Sequence, residues 1–95
     1  MIKVVAKSKI KEGKIDKYVE LTEELINKTR EEDKNISYKL FQDLENPNIL
    51  TFIEEWEDKE GLDKHMESEH FKKIVPMLSE YRIGEGEVNI YKEVN

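Results

Sequence analysis

Residues 2 to 10 alternate in character. Ile2, Val4, Ala6, Ser8 and Ile10 fall on one side and Lys3, Val5, Lys7 and Lys9 on the other, the two-residue period of a β-strand. Lys11-Glu12-Gly13 reads as a turn. From Lys14 the period lengthens. Ile15, Tyr18, Val19, Thr22, Leu25, Ile26 and Thr29 share one helical face, with Lys17, Glu20, Glu23, Glu24 and Lys28 opposite. This helix is predicted to fade between Glu32 and Asn35, because acidic side chains at a C-terminal end oppose the macrodipole. Residues 36 to 44 alternate again, Ile36, Tyr38, Leu40 and Leu44 against Ser37, Lys39, Phe41 and Asp43. Glu45-Asn46-Pro47-Asn48 supplies a turn with proline at its favoured second position, and Ile49 to Glu57 forms a third strand pattern. Two β runs joined by a short polar turn predict a hairpin.

Asp58 suits the N-cap of a second helix. Leu62, His65, Met66 and Glu69 share its inner face, and Phe71, Ile74, Val75 and Leu78 continue the spacing with a shift. Pro76 is expected to break this segment by steering Val75 out of the α region, leaving two short helical pieces with a kink. Gly84 and Gly86 mark a turn, and Val88, Ile90 and Val94 form a last strand.

Strand, helix, strand, strand, helix, strand is the split βαβ, ferredoxin-like order, an α+β fold that takes up residues 1–95 as one domain. Helices on one face leave the other bare, yet the third strand carries Leu50, Phe52 and Trp56 on one side and Ile49 and Ile53 on the other. The second strand adds Phe41 to the outer set. A sheet that is apolar on both faces needs a cover on both, so sheet-to-sheet homodimerisation is expected. The lysines of the first strand then need partners, because an unpaired buried charge is costly.

Composition narrows the chemistry. The chain has 95 residues with 16 Lys plus Arg against 22 Asp plus Glu, a formal charge of −6, and no cysteine. Surface scaling for this size gives burial of about 65% of the unfolded surface, a thin core that an oligomer would enlarge. Without cysteine there are no disulfides, Fe–S clusters or thiolate metal sites. An acidic chain without a basic block is unsuited to nucleic acid, and no apolar run approaches the roughly 20 residues that span a bilayer. The lysines among the first ten residues interrupt the apolar stretch of a secretion signal, so a cytoplasmic protein is expected. There is no G-x-G-x-x-G and no P-loop.

The residues able to do chemistry concentrate between Phe52 and Phe71, which hold the only tryptophan, Trp56, and both histidines. A buried neutral imidazole at His65 would suit proton transfer, and it would equally serve as a core-edge histidine with one backbone partner. His70 lies five positions on, about 140° around a helix, so the two rings share a face only if the helix breaks between them. Ser68 could supply that break, which would leave His70 a surface or hinge residue. A metal would need His65, Glu69 at i+4 and His70 brought round, and no metal is assigned. Trp56 could be a flat wall for an aromatic ligand or simply close the core. Tyr38, Tyr81 and Tyr91 offer hydroxyls to a polar ligand edge.

The run Thr51 to Phe71 has a strand ending in Glu55-Trp56, then Asp58, Leu62-x-x-His65 and Ser68-x-His70-Phe71. It resembles the antibiotic biosynthesis monooxygenase family, in its quinol-oxidising branch. The likeness extends to chain length, element order and the Gly13 turn before the first helix. The resemblance implies a homodimeric α+β barrel with a pocket between each sheet and its helices. It further implies oxygenation of a quinol, phenol or similar small aromatic without flavin, haem or metal. On that reading His65 is the base, Trp56 an aromatic wall, and Phe52, Met66, Phe71 and Tyr38 contact the substrate. Positions where some branches place an asparagine hold Ala6 or Ser8, and Phe52. His65 also lies closer to Trp56 than the haem-ligating histidine does in haem-degrading relatives, so haem degradation is not implied. Two other uses of such a pocket stay open: a non-catalytic, ligand-binding or stress-associated dimer, and a small-metabolite isomerase.

Overall fold

A computed structural model describes residues 1–95 throughout. The elements run β1 (Ile2–Lys9), α1 (Ile15–Thr29), β2 (Asn35–Gln42), β3 (Ile49–Trp56), α2 (Lys59–Glu67), α3 (Glu69–Ser79) and β4 (Glu87–Lys92). The strands form one antiparallel sheet in the order β2-β3-β1-β4, with the helices on one side, which is the expected ferredoxin-like α+β architecture. Two layers make a slab 36 × 31 × 19 Å in Cα extent.

The register decides which side chains meet. Ile2 pairs with Trp56, Val4 with Glu54, Ala6 with Phe52 and Ser8 with Leu50. Tyr38 and Leu40 of β2 lie beside Glu54 and Phe52, and Val88 and Ile90 of β4 lie beside Ala6 and Val4. Directly paired residues share a face, so all of these point toward the helices. Val4, Leu50, Phe52 and Trp56 are buried there against Tyr18, Leu25, Leu62, Ile74 and Leu78.

Several expectations shift. Pro76 does not end a helix: α3 runs through it to Ser79, and the break falls at Ser68 instead. Pro76 lies on the exposed side of α3, as does Lys72, whose carbonyl loses the helical bond that proline cannot donate. Leu44 is fully exposed, because Asp43 accepts hydrogen bonds from the backbone N–H of Glu45 (3.0 Å) and Asn46 (2.8 Å) and turns the chain before β2 can extend. Ile36 is half-exposed because β2 bulges between Asn35 and Ser37. Val94 lies beyond β4.

The outer face of the sheet is uncovered. It carries Val5 beside Ile53, Thr51 beside Phe41, and Lys3 opposite Glu55. All of β4 is exposed, including Val88 (61%) and Ile90 (50%) on the helix side. The chain exposes 6391 Å², against about 5,700 Å² from the size scaling for a folded monomer.

Candidate functional site

The site is built on β3. Leu50, Phe52, Glu54 and Trp56 occupy alternate positions and all face the helices, so strand parity drives a carboxyl into the core. Glu54 is 5% exposed. Trp56 donates from Nε1 to its Oε1 at 3.0 Å. Burial pushes Glu54 up to about 7 against this hydrogen bond, and the charge of Glu32 adds to the rise. Tyr38, opposite Glu54 across the strand pair, is raised for the same first reason, with Glu54 as the next cause.

Behind Trp56 lies a second polar cluster. Asp58 caps α2 by accepting from the Gly61 N–H (2.9 Å) and also binds Lys34 Nζ (2.8 Å). Gly61 is required for space: a Cβ there would lie 2.6 Å from Lys34 Cβ, so only glycine lets α2 approach residues 32–34. Ser68 then ends α2 in an extended conformation and starts α3, its Oγ donating to the His65 carbonyl (2.6 Å) and accepting from the Phe71 N–H (3.3 Å). That single non-helical residue re-aims the next turn. His65 Nδ1 and His70 Nε2 both reach Glu32 Oε2, at 2.8 and 2.7 Å. His70 is thus not a surface residue; its side chain is 13% exposed and bonded to Glu32.

His65 is sealed, 1% exposed, with ring centroids of Trp56, Phe71 and Tyr38 at 4.8, 5.0 and 5.3 Å. Burial holds it below its ordinary value of 6.5, more than Glu32 raises it. With Glu32 as acceptor, Nδ1 carries the proton, and Nε2 is buried without a partner. Glu32, His65 and His70 present three ligand atoms within 4.8 Å of one another, a carboxylate and two imidazoles of the kind that bind zinc. Their oxygen-to-nitrogen distances are those of hydrogen bonds.

Between sheet and helices lies a hollow of about 140 Å³. Phe52, Glu54, Tyr38 and Ala6 form its floor, Leu25, Phe71, Val75 and Leu78 its roof, and Ser8, Tyr18, Arg82 and Gly86 one end. A larger groove of about 530 Å³ between α1 and β2 opens on solvent beside Val19, Phe41 and Arg30. Of the residues singled out from sequence, Phe52, Phe71 and Tyr38 line the hollow together. Trp56 and His65 stand behind Glu54 and Tyr38, outside the lining, and Met66 is 39% exposed on the far side of α2. Glu54, Glu32, Tyr18 and Arg82 were not singled out. Glu54 left a trace in its shared parity with Leu50, Phe52 and Trp56, and Tyr18 in its place on the apolar face of α1; Glu32 and Arg82 left none.

The comparisons agree with this architecture. The sequence profile of the antibiotic biosynthesis monooxygenase family matches residues 1–77. A crystal structure of a conserved protein from Methanosarcina mazei is similar at 46% identity and TM-score 0.96, covering 98% of this chain and 92% of that one. A crystal structure described as an antibiotic biosynthesis monooxygenase is 39% identical with TM-score 0.94, and each chain is covered completely. An uncharacterised Synechocystis protein is 29% identical over 91 residues, which make up 96% of this chain and 62% of that protein, so the chain spans less than two thirds of that relative. With the profile matched over most of its length, the protein belongs to the antibiotic biosynthesis monooxygenase family.

Proposed function

We propose that the protein is a cytoplasmic, homodimeric, cofactor-independent monooxygenase acting on a quinol, phenol or similar small aromatic. The observation that carries this is Glu54, a buried carboxyl with a value near 7 at the wall of an aromatic-lined hollow. Such a group is poised to accept a phenolic proton at neutral pH. The resulting phenolate is electron-rich enough to give an electron to oxygen directly. For a hydroquinone, one quinol and one dioxygen give one hydroxyquinone and one water. One oxygen atom enters the ring, the other leaves as water with two hydrogens from the quinol, and the quinol supplies all four electrons, so no external reductant is needed. In this scheme Trp56 holds the Glu54 carboxyl, and His65, anchored by Glu32, holds Trp56. Relatives described as monooxygenases support the reaction class. The bare sheet back, with Val5, Ile53 and Phe41, and the exposed β4 support the dimer.

A second reading keeps His65 as the base and rests on its buried, unpartnered Nε2. The pH dependence of oxygen uptake with hydroquinone separates the two. A Glu54 base gives a rising limb centred near 7, and Glu54→Gln lowers the rate by about 10²–10⁴-fold. A His65 base gives a limb below 6.5, and His65→Ala carries the larger loss. No oxygen uptake with any hydroquinone would refute both.

A further inference from the structure

The hollow is polar at two ends and apolar between them. The β1 register shows the layout. Glu54 lies level with Val4 and Leu50 with Ser8, and Ala6 sits midway beside Phe52 and Val88. Four residues of strand separate the two polar levels, about 13 Å at the backbone. The small side chain of Ala6 leaves room above the middle of the floor. At the Glu54 end the side chains are a carboxyl and the Tyr38 phenol. At the other end they are Ser8, Tyr18 and Arg82.

Arg82 stands out. In a chain of net charge −6, its guanidinium has no carboxylate in ion-pair range; its Nε donates to the Gly84 carbonyl at 3.0 Å. A Cβ on Gly86 would lie 3.2 Å from Ser8 Oγ and 3.6 Å from Arg82 Nη1, so the glycine keeps this end open. A half-buried cation with free donors beside two hydroxyls is a receptor for an electronegative oxygen.

Volume sets the size of what lies between. A closed cavity of about 150 Å³ lined by aliphatic and aromatic groups holds one benzene, so the 140 Å³ of this hollow is room for one ring. A ring with oxygens at para positions, roughly 5.5 Å apart, plus a hydrogen bond of about 2.8 Å at each end, spans roughly 11 Å. The roughly 13 Å of strand between the two polar levels leaves room for that span.

We infer that the hollow selects a single-ring phenol whose hydroxyl meets Glu54 and whose second oxygen function, para to it, is held by Arg82, Tyr18 and Ser8. This rests on the proposed function for the role of Glu54, and it adds the ring count, the second oxygen and the residue that reads it. The second oxygen is a hydroxyl, as in a hydroquinone, or a carboxylate.

The test measures anaerobic binding of four probes by calorimetry: 1,4-hydroquinone, 4-hydroxybenzoate, phenol and 9,10-dihydroxyanthracene. At least one of the first two is expected to bind about tenfold or more tighter than phenol. Which of them does so identifies the second oxygen. The three-ring probe is expected not to bind. Arg82→Gln should bring the preferred probe down to the level of phenol, and Ala6→Leu, which fills the floor, should abolish binding with an unchanged circular dichroism spectrum. Equal binding of one and three rings, an unchanged preference in Arg82→Gln, or no binding of any one-ring probe overturns the inference. Oxygen uptake is read separately. Arg82-dependent binding without oxygen uptake keeps this inference and removes the monooxygenase reading. Uptake that is indifferent to Arg82→Gln, or that prefers the three-ring probe, does the reverse.

Discussion

Glu54→Gln replaces the buried carboxyl by an amide of nearly the same shape whose oxygen can still accept from Trp56 Nε1. What it removes is the cost of ionising a carboxyl 5% exposed. Glu54 titrates near 7 in the fold against an ordinary 4.5. The folded state therefore binds more protons between these values, and wild-type stability falls as pH rises from 4.5 through 7. The difference of about 2.5 units, at 1.36 kcal/mol each, makes about 3 kcal/mol. Below pH 4.5 both proteins carry a neutral group, and their stabilities should nearly coincide. Above pH 7 the variant should be the more stable by up to about 3 kcal/mol, a large fraction of the total for a domain this small. His65 acts in the opposite sense. Its value is depressed, so it contributes stability above 6.5 that is lost as pH falls through its folded value. Both proteins share that limb, so it cancels in the difference. Urea unfolding at pH 4.5, 6, 7 and 8, at one protomer concentration, measures the gap. A gap that is constant with pH, or a variant less stable at pH 8, would show that Glu54 is not a buried acid held near neutrality. The same variant should lose oxygen uptake while gaining stability, the pairing expected when a destabilised group does the chemistry.

Gly61→Ala should destabilise the protein by roughly 1–3 kcal/mol in urea unfolding, although alanine is the better helix former by about 1 kcal/mol, because its Cβ would overlap Lys34 Cβ. A neutral or stabilising result would show that α2 can shift freely. Glu32→Ala leaves both imidazoles without their acceptor and should cost a few kcal/mol by the same measurement, with the His65 ring resonances displaced in NMR spectra. Leu44→Ser should change stability by less than about 0.5 kcal/mol, since Leu44 is fully exposed. Sedimentation equilibrium should find a dimer, and Val5→Glu with Ile53→Glu should shift it toward monomer by placing like charges side by side on the bare sheet face. A monomeric wild type at micromolar concentration would remove the sheet-to-sheet arrangement.

Periodicity alone was enough for the architecture. Alternation in residues 2–10, 36–44 and 49–57 and the helical spacing after Lys14 point to the elements, because a strand or helix must put its apolar positions on one face, and the structure ends the two inner runs at Gln42 and Trp56. The role of Ser68 as a break was legible from the same local rules, whereas Phe52, Phe71 and Tyr38 were assigned to the pocket only through the family resemblance, which named Met66 with them. Glu54 was legible in principle, since parity alone sends it inward. What needed the tertiary structure was every contact between elements. Glu32 ends beneath both histidines only because Gly61 lets α2 close on Lys34, and the two rings converge only because Ser68 turns the chain by one residue. Arg82 reaches the hollow from beyond α3, outside the Thr51 to Phe71 run that drew attention first. Local patterns record which face is buried. They do not record which distant side chain arrives there, because that is set by strand order and by how closely the helices can approach.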